Sequence, residues 1–328
     1  DLSSYYILNL FFYSKQIASI VKSEEIDVVV VCNLLPGIPT LLPNLQGRKV
    51  VFDLKDMLSD VAAIYYRYGP LSSMIRGASE WLQRRLLQRA DHIITVSMFL
   101  VQYLKGIRIH DVSLITNGAD LSIFKPDLKL DGFNLSLKKK LRDSKIIGFV
   151  GTIDRWIDFE TVIESLKELS STIDDVKLLI VGGKSRSDYF DRIRSLVHKT
   201  GLQEKVIFTG FVPHNDVPYY INLMDVCLIP MKADLRLNQA RCPDKLFEYL
   251  ACGKPVVSTR LSEVLRIGQD AVRFYDDASS LTSILTDILR DDAFQNFIKK
   301  KALDIAKNYE WRSIAERYRR TLEEVSNI

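Results

Sequence analysis

Lys245 and Glu248 stand three residues apart in the stretch RCPDKLFEYLACGKPVV (241–257). On a helix that spacing puts both side chains on one side of adjacent turns. An ammonium there can neutralise a diphosphate, and a carboxylate one turn on can accept hydrogen bonds from ribose hydroxyls. The same spacing equally suits a surface ion pair, and spacing alone leaves both readings open. Pro243 reads as the first-turn proline of this helix, which should run to about Cys252 and be capped by Gly253. Leu246, Leu250 and Ala251 would pack its other side, and Leu246 is counted with the ligand-lining segment. A polar loop with Arg236, Asn238, Gln239 and Arg241 precedes it.

Three other strand ends could meet an anionic ligand. FVGTIDRW (149–156) carries Gly151, Thr152 and Arg155, with Gly148 just before it. The helix after it should begin near Asp158 and offer free N–H groups to phosphate. IVGGKS (180–185) ends a strand at Gly182-Gly183, and Lys184 follows, either a ligand cation or a plain surface lysine. In FTGFVPHND (208–216) Gly210 permits close approach, and the Phe211–Val212 backbone could meet a base edge.

The elements that must hold these residues alternate along the chain. Short β-branched runs occur at 26–32, 49–52, 92–96, 112–115, 145–150, 176–181, 205–208, 226–229 and 255–258, with helical periodicity between them. Continuous apolar strands separated by helices predict buried parallel sheets in a doubly wound α/β arrangement. A polar, lysine-rich stretch at 124–144 has no strand signal and reads as a linker with a short helix, its triple lysine 138–140 solvated. The expected organisation is an N-terminal Rossmann-like domain over 1–125 and a second over 126–308. In open parallel sheets ligands bind beyond the carboxyl ends of the strands, where all of the residues above fall.

Of 328 residues, 47% are hydrophobic and 26% charged, with a net charge of +4. That is ample for a core, and too weakly basic, without basic–aromatic clustering, for a nucleic-acid binder. The four cysteines form no C-x-x-C pair, which argues against a zinc site. Cys32 and Cys227 sit in apolar runs and are expected to be buried thiols, as in a reducing compartment. No apolar run reaches the ~18 residues of a spanning helix. YYILNLFFY (5–13) reads as the apolar face of a helix.

From Lys145 to Val257, with support on either side, the chain resembles the GT-B glycosyltransferases of retaining family 4, the glycosyl transferases group 1 type, which includes glycogen and sucrose synthases and many cell-envelope enzymes. The resemblance rests on ADHIITVS (90–97), ITNGADLSIFKP (115–126), GFVGTID, LLIVGG, VIFTGFVP, the MDVCLIP strand and KLFEYLACGKPVVST, in that order. It implies two Rossmann-like domains with a nucleotide-diphosphate sugar on the second, and a C-terminal helix over 309–328, with WRSIAERYRRTLEEV, that crosses back to the first. Glu248 would bind ribose as the second glutamate of an E-x7-E motif. Lys245 would hold the diphosphate, Gly151 and Thr152 would face it, and Phe211 and Val212 would contact the base. Arg155, Lys184 and Arg241 complete the expected donor-binding set. The family begins with a strand and a Gly-rich loop that have no counterpart before Ile26, so the resemblance implies an N-terminally incomplete first domain.

Three positions depart from the family pattern. Ala240 replaces the first glutamate of the motif. Thr152 and Asp158 replace the arginine and lysine of the phosphate loop. KVVFDLKDMLSD (49–60) offers Asp53 and Asp56 where the family has a histidine. Either aspartate could act as a base in an inverting enzyme, and these two are the expected catalytic residues. The expected activity is a metal-independent hexosyltransferase without a cofactor, moving sugar from a nucleotide donor such as a UDP-sugar. Its acceptor would be a glycolipid, polysaccharide or other cell-envelope molecule, and its expected place the cytoplasm, with peripheral association at the inner membrane face an option the reading leaves open. Closure about 124–144 would exclude water. The alternatives are a non-catalytic GT-B partner subunit and a nucleotide-sugar 2-epimerase.

Overall fold

A computed structural model describes residues 9–42, 45, 47–65, 70–130, 132–185 and 187–327. The chain forms two compact units. The first comprises Asp1–Thr116, Gln239–Cys242 and Ser313–Ile328, and the second Asn117–Asn238 and Pro243–Arg312.

The first unit is built on a four-stranded parallel sheet, β1 (Val28–Val31), β2 (Lys49–Leu54), β3 (His92–Thr95) and β4 (Val112–Leu114), in that spatial order. Its helices are α1 (Leu10–Ser23), α2 (Leu34–Gly37), α3 (Leu58–Tyr65), α4 (Pro70–Arg89) and α5 (Met98–Gly106). Residues 5–8 of the apolar opening lie outside the described residues; Phe11 and Phe12, which follow, are exposed. The sheet's inner face is closed by the terminal helix, Trp311–Ser326. Its Ile314 and Val325 pack into the cluster of Val51, Ile94 and Ile115, with Tyr318 and Leu322 alongside. That spacing, 314-318-322-325, is one helical stripe. Cys32 is exposed rather than buried: the run of valines ends at Val31, and Cys32 is already past the strand end.

The second unit contains α6 (Leu135–Leu141), β5 (Lys145–Val150), α7 (Phe159–Leu169), β6 (Val176–Val181), α8 (Tyr189–Lys199), β7 (Val206–Gly210), α9 (Val217–Asn222) and β8 (Val226–Ile229). It continues with α10 (Arg236–Ala240), whose last two residues pass into the first unit, and then α11 (Asp244–Ala251), β9 (Val256–Ser258), α12 (Ser262–Gly268), β10 (Val272–Phe274), α13 (Ala278–Arg290) and α14 (Asp292–Ala306). The six strands are parallel in the order β10-β9-β8-β5-β6-β7. This is the Rossmann order, which reverses between β5 and β8. Both sheets and their helices are those of the expected α/β, GT-B architecture.

Between Thr116 and Lys145 the chain is packed onto the second unit, so the division falls at 116/117 rather than 125/126. Phe124 is buried and meets His214 at 5.4 Å, Phe133 stacks on Tyr219 at 5.0 Å, and Asn222 bonds the Lys125 carbonyl at 3.0 Å. The polar composition of 124–144 hid these anchoring aromatic side chains. Among its lysines, Lys138 bonds the Leu130 carbonyl, while Lys139 and Lys140 are exposed.

Candidate functional site

In the second unit the loops beyond β5, β6 and β7 are stitched to one another. Gly151 donates its N–H to the Val181 carbonyl at 2.9 Å, Ile153 to Gly183 at 3.2 Å, and Gly182 to Gly210 at 3.1 Å. This contact needs glycine. A Cβ on Gly182, at φ +147°, would lie 1.9 Å from the Gly151 carbonyl oxygen. The loop after β8 is tied to the loop after β5 as well. Asp158 donates to Pro230 at 2.6 Å, Lys232 to Trp156 at 2.9 Å, and the Asn238 amide to both the Trp156 and Lys232 carbonyls at 2.9 Å. The strand ends on either side of the switch point therefore form one connected backbone surface.

Helix α11 brings Lys245 there. Lys245 lays its ammonium 4.3 Å from the centre of the Phe149 ring, and a Cβ on Gly151 (φ +139°) would stand 2.8 Å from that ammonium. Lys245 and the Gly151 turn thus adjoin, as the donor reading requires. Burial pushes the Glu248 carboxyl up to about 7; Asp244 raises it further and Lys245 pulls the other way. A half-buried carboxyl held near 7 is partly protonated at neutral pH, and it is the ionised form that accepts a hydroxyl hydrogen bond. Tyr249, fully buried, fixes the end of β5 by accepting the Val150 N–H at 2.7 Å. Sequence reasoning passed it over, although its place beside Glu248 on an amphipathic helix turns it inward.

The other expected donor residues are distributed around this turn. Thr152 is exposed. Arg155 pairs with Asp188 at 2.5 Å, and Lys184 with Asp191. Both acids flank the start of α8, so these two cations already have carboxylate partners. The backbone of Phe211 runs past Gly183, with its nitrogen 3.7 Å from where a Gly183 Cβ would be, while its ring is 87% exposed and Val212 is half-buried. Leu246 is wholly buried, so its side chain belongs to the core. Pro243 precedes the helix as its N-cap rather than occupying the first turn, with ψ 123°. Gly148 makes no turn. It lies inside β5, where a Cβ would strike the Met224 sulfur at 2.0 Å.

Arg241 joins a different group, in the first unit. Its Nε donates to Asp56 Oδ1 at 2.9 Å. Next to it, the Ala240 carbonyl accepts a 2.6 Å bond from Ser97 Oγ, which also caps α5. Ala240 is fully buried. Asp53, at the end of β2, is buried, and burial raises its carboxyl above the ordinary range against the pull of Lys55. Tyr318 donates to its Oδ2 at 3.3 Å, Lys55 lies 3.4 Å away, and Oδ1 has no partner among the described residues. Asp56 is only half-buried and is the more accessible of the two. Among the described residues no three His, Cys, Asp or Glu side chains converge as metal ligands would.

Comparison with known proteins meets this geometry from both ends of the chain. The family described as glycosyl transferases group 1 matches residues 144–291, and glycosyltransferase family 4 matches residues 2–123. The chain belongs to the group 1 glycosyltransferases. Among relatives of this glycosyltransferase is Bacillus subtilis TuaH, named for teichuronic acid biosynthesis. It is 27% identical over 284 residues, which cover 84% of this chain and 67% of that protein. A GDP-mannose-dependent phosphatidylinositol monomannoside mannosyltransferase from Mycolicibacterium smegmatis is 28% identical over 137 residues, 40% of this chain and 35% of that one. Sucrose-phosphate synthase from Thermosynechococcus elongatus superposes with a TM-score of 0.73 at 20% identity, covering 95% of this chain and 77% of the other. Anabaena Alr3699/HepE, solved with UDP-glucose, gives 0.75 at 16%, covering 95% and 82%. These likenesses show the GT-B fold. Among the described residues no helix is long and apolar enough to cross a membrane.

Proposed function

We propose that this glycosyltransferase transfers a hexose from a nucleotide-diphosphate sugar to a cell-envelope acceptor, a polysaccharide or lipid-linked glycan, at the inner face of the membrane. The observation that carries the donor half is the adjacency of the Gly151 turn and the Lys245 ammonium at the switch point, with the half-buried Glu248 one turn further along α11. HepE, of the same fold, was solved with UDP and with UDP-glucose. The acceptor class is supported by the names of TuaH and of the mannosyltransferase. The donor is assigned to the second unit and the acceptor to the first.

Glycosyl transfer builds positive charge on the sugar ring and negative charge on the departing diphosphate. In the proposed mechanism Lys245 and the N–H groups opening α11 stabilise that diphosphate, with no metal ion required. Gly151 lets the backbone approach, Thr152 and the Phe211–Val212 segment line the ligand, and Glu248 accepts the ribose hydroxyls. Arg155 and Lys184 act at the rim, where exchange of an aspartate for a phosphate is their route to the donor. Asp56, held by Arg241, takes the acceptor proton; Asp53, buried with Lys55 and Tyr318 at one of its oxygens, is too enclosed to be the first choice.

Thermal-shift screening of nucleotide sugars, followed by transfer assays on Lys245→Ala and Glu248→Ala, tests the reading. Loss of transfer in both supports it. Unchanged turnover in both would discard the site.

A further inference from the structure

The six-stranded sheet parts at its switch point. β5 pairs with β6 along its whole length, from Lys145 opposite Val176 to Val150 opposite Val181. With β8 it pairs only at Ile147 opposite Val226 and Gly148 opposite Cys227. Successive N–H groups of a strand point to opposite neighbours. The Lys145 and Gly151 N–H groups bond the Asp175 and Val181 carbonyls on the β6 side, while the Ile146 N–H bonds the Asp225 carboxylate on the β8 side. By that alternation the Val150 N–H faces β8, past the last paired residue. Left there it would be a buried donor without a rung, at a cost comparable to a lost hydrogen bond. The Tyr249 hydroxyl accepts it instead, at 2.7 Å.

Helix α11 thus holds three consecutive residues at the end of β5. Lys245 lays its ammonium over the Phe149 ring at 4.3 Å, Tyr249 takes the Val150 N–H, and a Cβ on Gly151 would stand 2.8 Å from the same ammonium. Lys245 and Tyr249 are four residues apart, neighbours on one side of the helix. The β6 side of the turn is held by the Val181 carbonyl, which accepts the Gly151 N–H at 2.9 Å. Tyr249 is wholly buried, and burial keeps its phenol well above the ordinary range, so the group stays a neutral hydroxyl. A ring alone would fill the space; only the hydroxyl supplies the acceptor.

We propose that Tyr249 is a positioning residue for the donor: its hydroxyl stands in for the absent β8 rung and sets the spacing between the Gly151 turn and Lys245, the two groups that receive the diphosphate. Without it the Val150 N–H loses its acceptor, and the end of β5 relaxes away from α11. Misplacing the groups of a site by about 1 Å costs up to about 100-fold in rate. The inference rests on the donor reading proposed above and goes beyond it, giving a residue that touches no ligand a part in binding.

The experiment compares the wild type with Tyr249→Phe, which keeps the ring and removes the hydroxyl. Hydrogen exchange at the Val150 amide, read by NMR on protein labelled at valine, should speed up about tenfold or more in the variant. Calorimetry with UDP, GDP and ADP and with the matching monophosphates, below the melting temperature of both proteins, measures the grip on the diphosphate. Tyr249→Phe should lose about tenfold in affinity for the diphosphate that the wild type prefers, and less than about twofold for its monophosphate. A ring-fluorinated tyrosine in place of Tyr249, a weaker acceptor of nearly the same shape, should fall between the two. A tyrosine with a purely structural role would lower the melting temperature and leave the ratio of the two affinities unchanged, and that result would overturn the proposal. So would unchanged exchange at Val150. Binding of none of the three diphosphates by the wild type would overturn the donor reading and the proposal resting on it, whereas a flaw in the proposal alone shows only in the comparison with Tyr249→Phe.

Discussion

Donor affinity should rise with pH through neutrality, with Glu248 as the cause. Burial holds this carboxyl near 7 in the free protein, against an ordinary 4.5. Ribose hydroxyls donate best to the ionised form. With a midpoint near 7, about a tenth of the molecules are ionised one pH unit below it and about nine-tenths one unit above, so affinity should gain up to about tenfold over that range. The ligand should be an intact nucleotide-diphosphate sugar, whose diphosphate diester does not titrate there. Calorimetry across the range measures the affinity, and repeating it in buffers of different ionisation heat measures the proton released. Glu248→Gln should flatten the profile. A flat profile in the wild type, or one equally steep in Glu248→Gln, would refute the reasoning. Stability carries the opposite sign. The folded value lies above the unfolded one, so the contribution is fully present below about 4.5 and is lost as pH rises through about 7. Moving from 4.5 to about 7 corresponds to about 3 kcal/mol, so without ligand Glu248→Gln should gain up to that much above neutrality and little in acid, as urea titration would show.

Three further outcomes follow from the geometry. Gly182→Ala places a methyl against the Gly151 carbonyl, backbone against backbone, and should cost about 2–5 kcal/mol in urea unfolding and weaken donor binding with it. Asp56→Asn should lower kcat about 100-fold or more while donor affinity measured by calorimetry stays within about twofold, and loss of both together would move Asp56 out of the catalytic role. Ser97→Ala removes a buried bond to the Ala240 carbonyl and the cap of α5 at once, and should lower stability by about 1–3 kcal/mol in the same unfolding assay.

The strands that hold the site were legible because their chemistry is local. KIIGFV, VKLLIV and VCLI are continuous apolar runs buried on both faces of a parallel sheet, and their limits at 145–150, 176–181 and 226–229 could be read directly. β10 was not legible, because three residues with Arg273 in the middle carry too little pattern. Glycines were legible as special but not by role. Gly151 and Gly182 serve backbone approach at positive φ, whereas Gly148 makes room for Met224, a partner 76 residues away. Charges were legible as candidates but not by pairing. Asp188 and Asp191, at the start of α8, reach Arg155 and Lys184, and Arg241 finds Asp56 185 residues earlier. No spacing rule connects such partners. The placing of Lys245 and Glu248 on one short helix was readable from their spacing, and Asp244–Ala251 carries both.

A crystal structure with a nucleotide-diphosphate sugar tests the central claim most directly. The account predicts diphosphate oxygens within hydrogen-bond distance of Lys245 Nζ beside the Gly151 turn, and ribose hydroxyls on the Glu248 carboxylate. Diphosphate density elsewhere, with Lys245 still resting on Phe149 and Glu248 untouched, would contradict it.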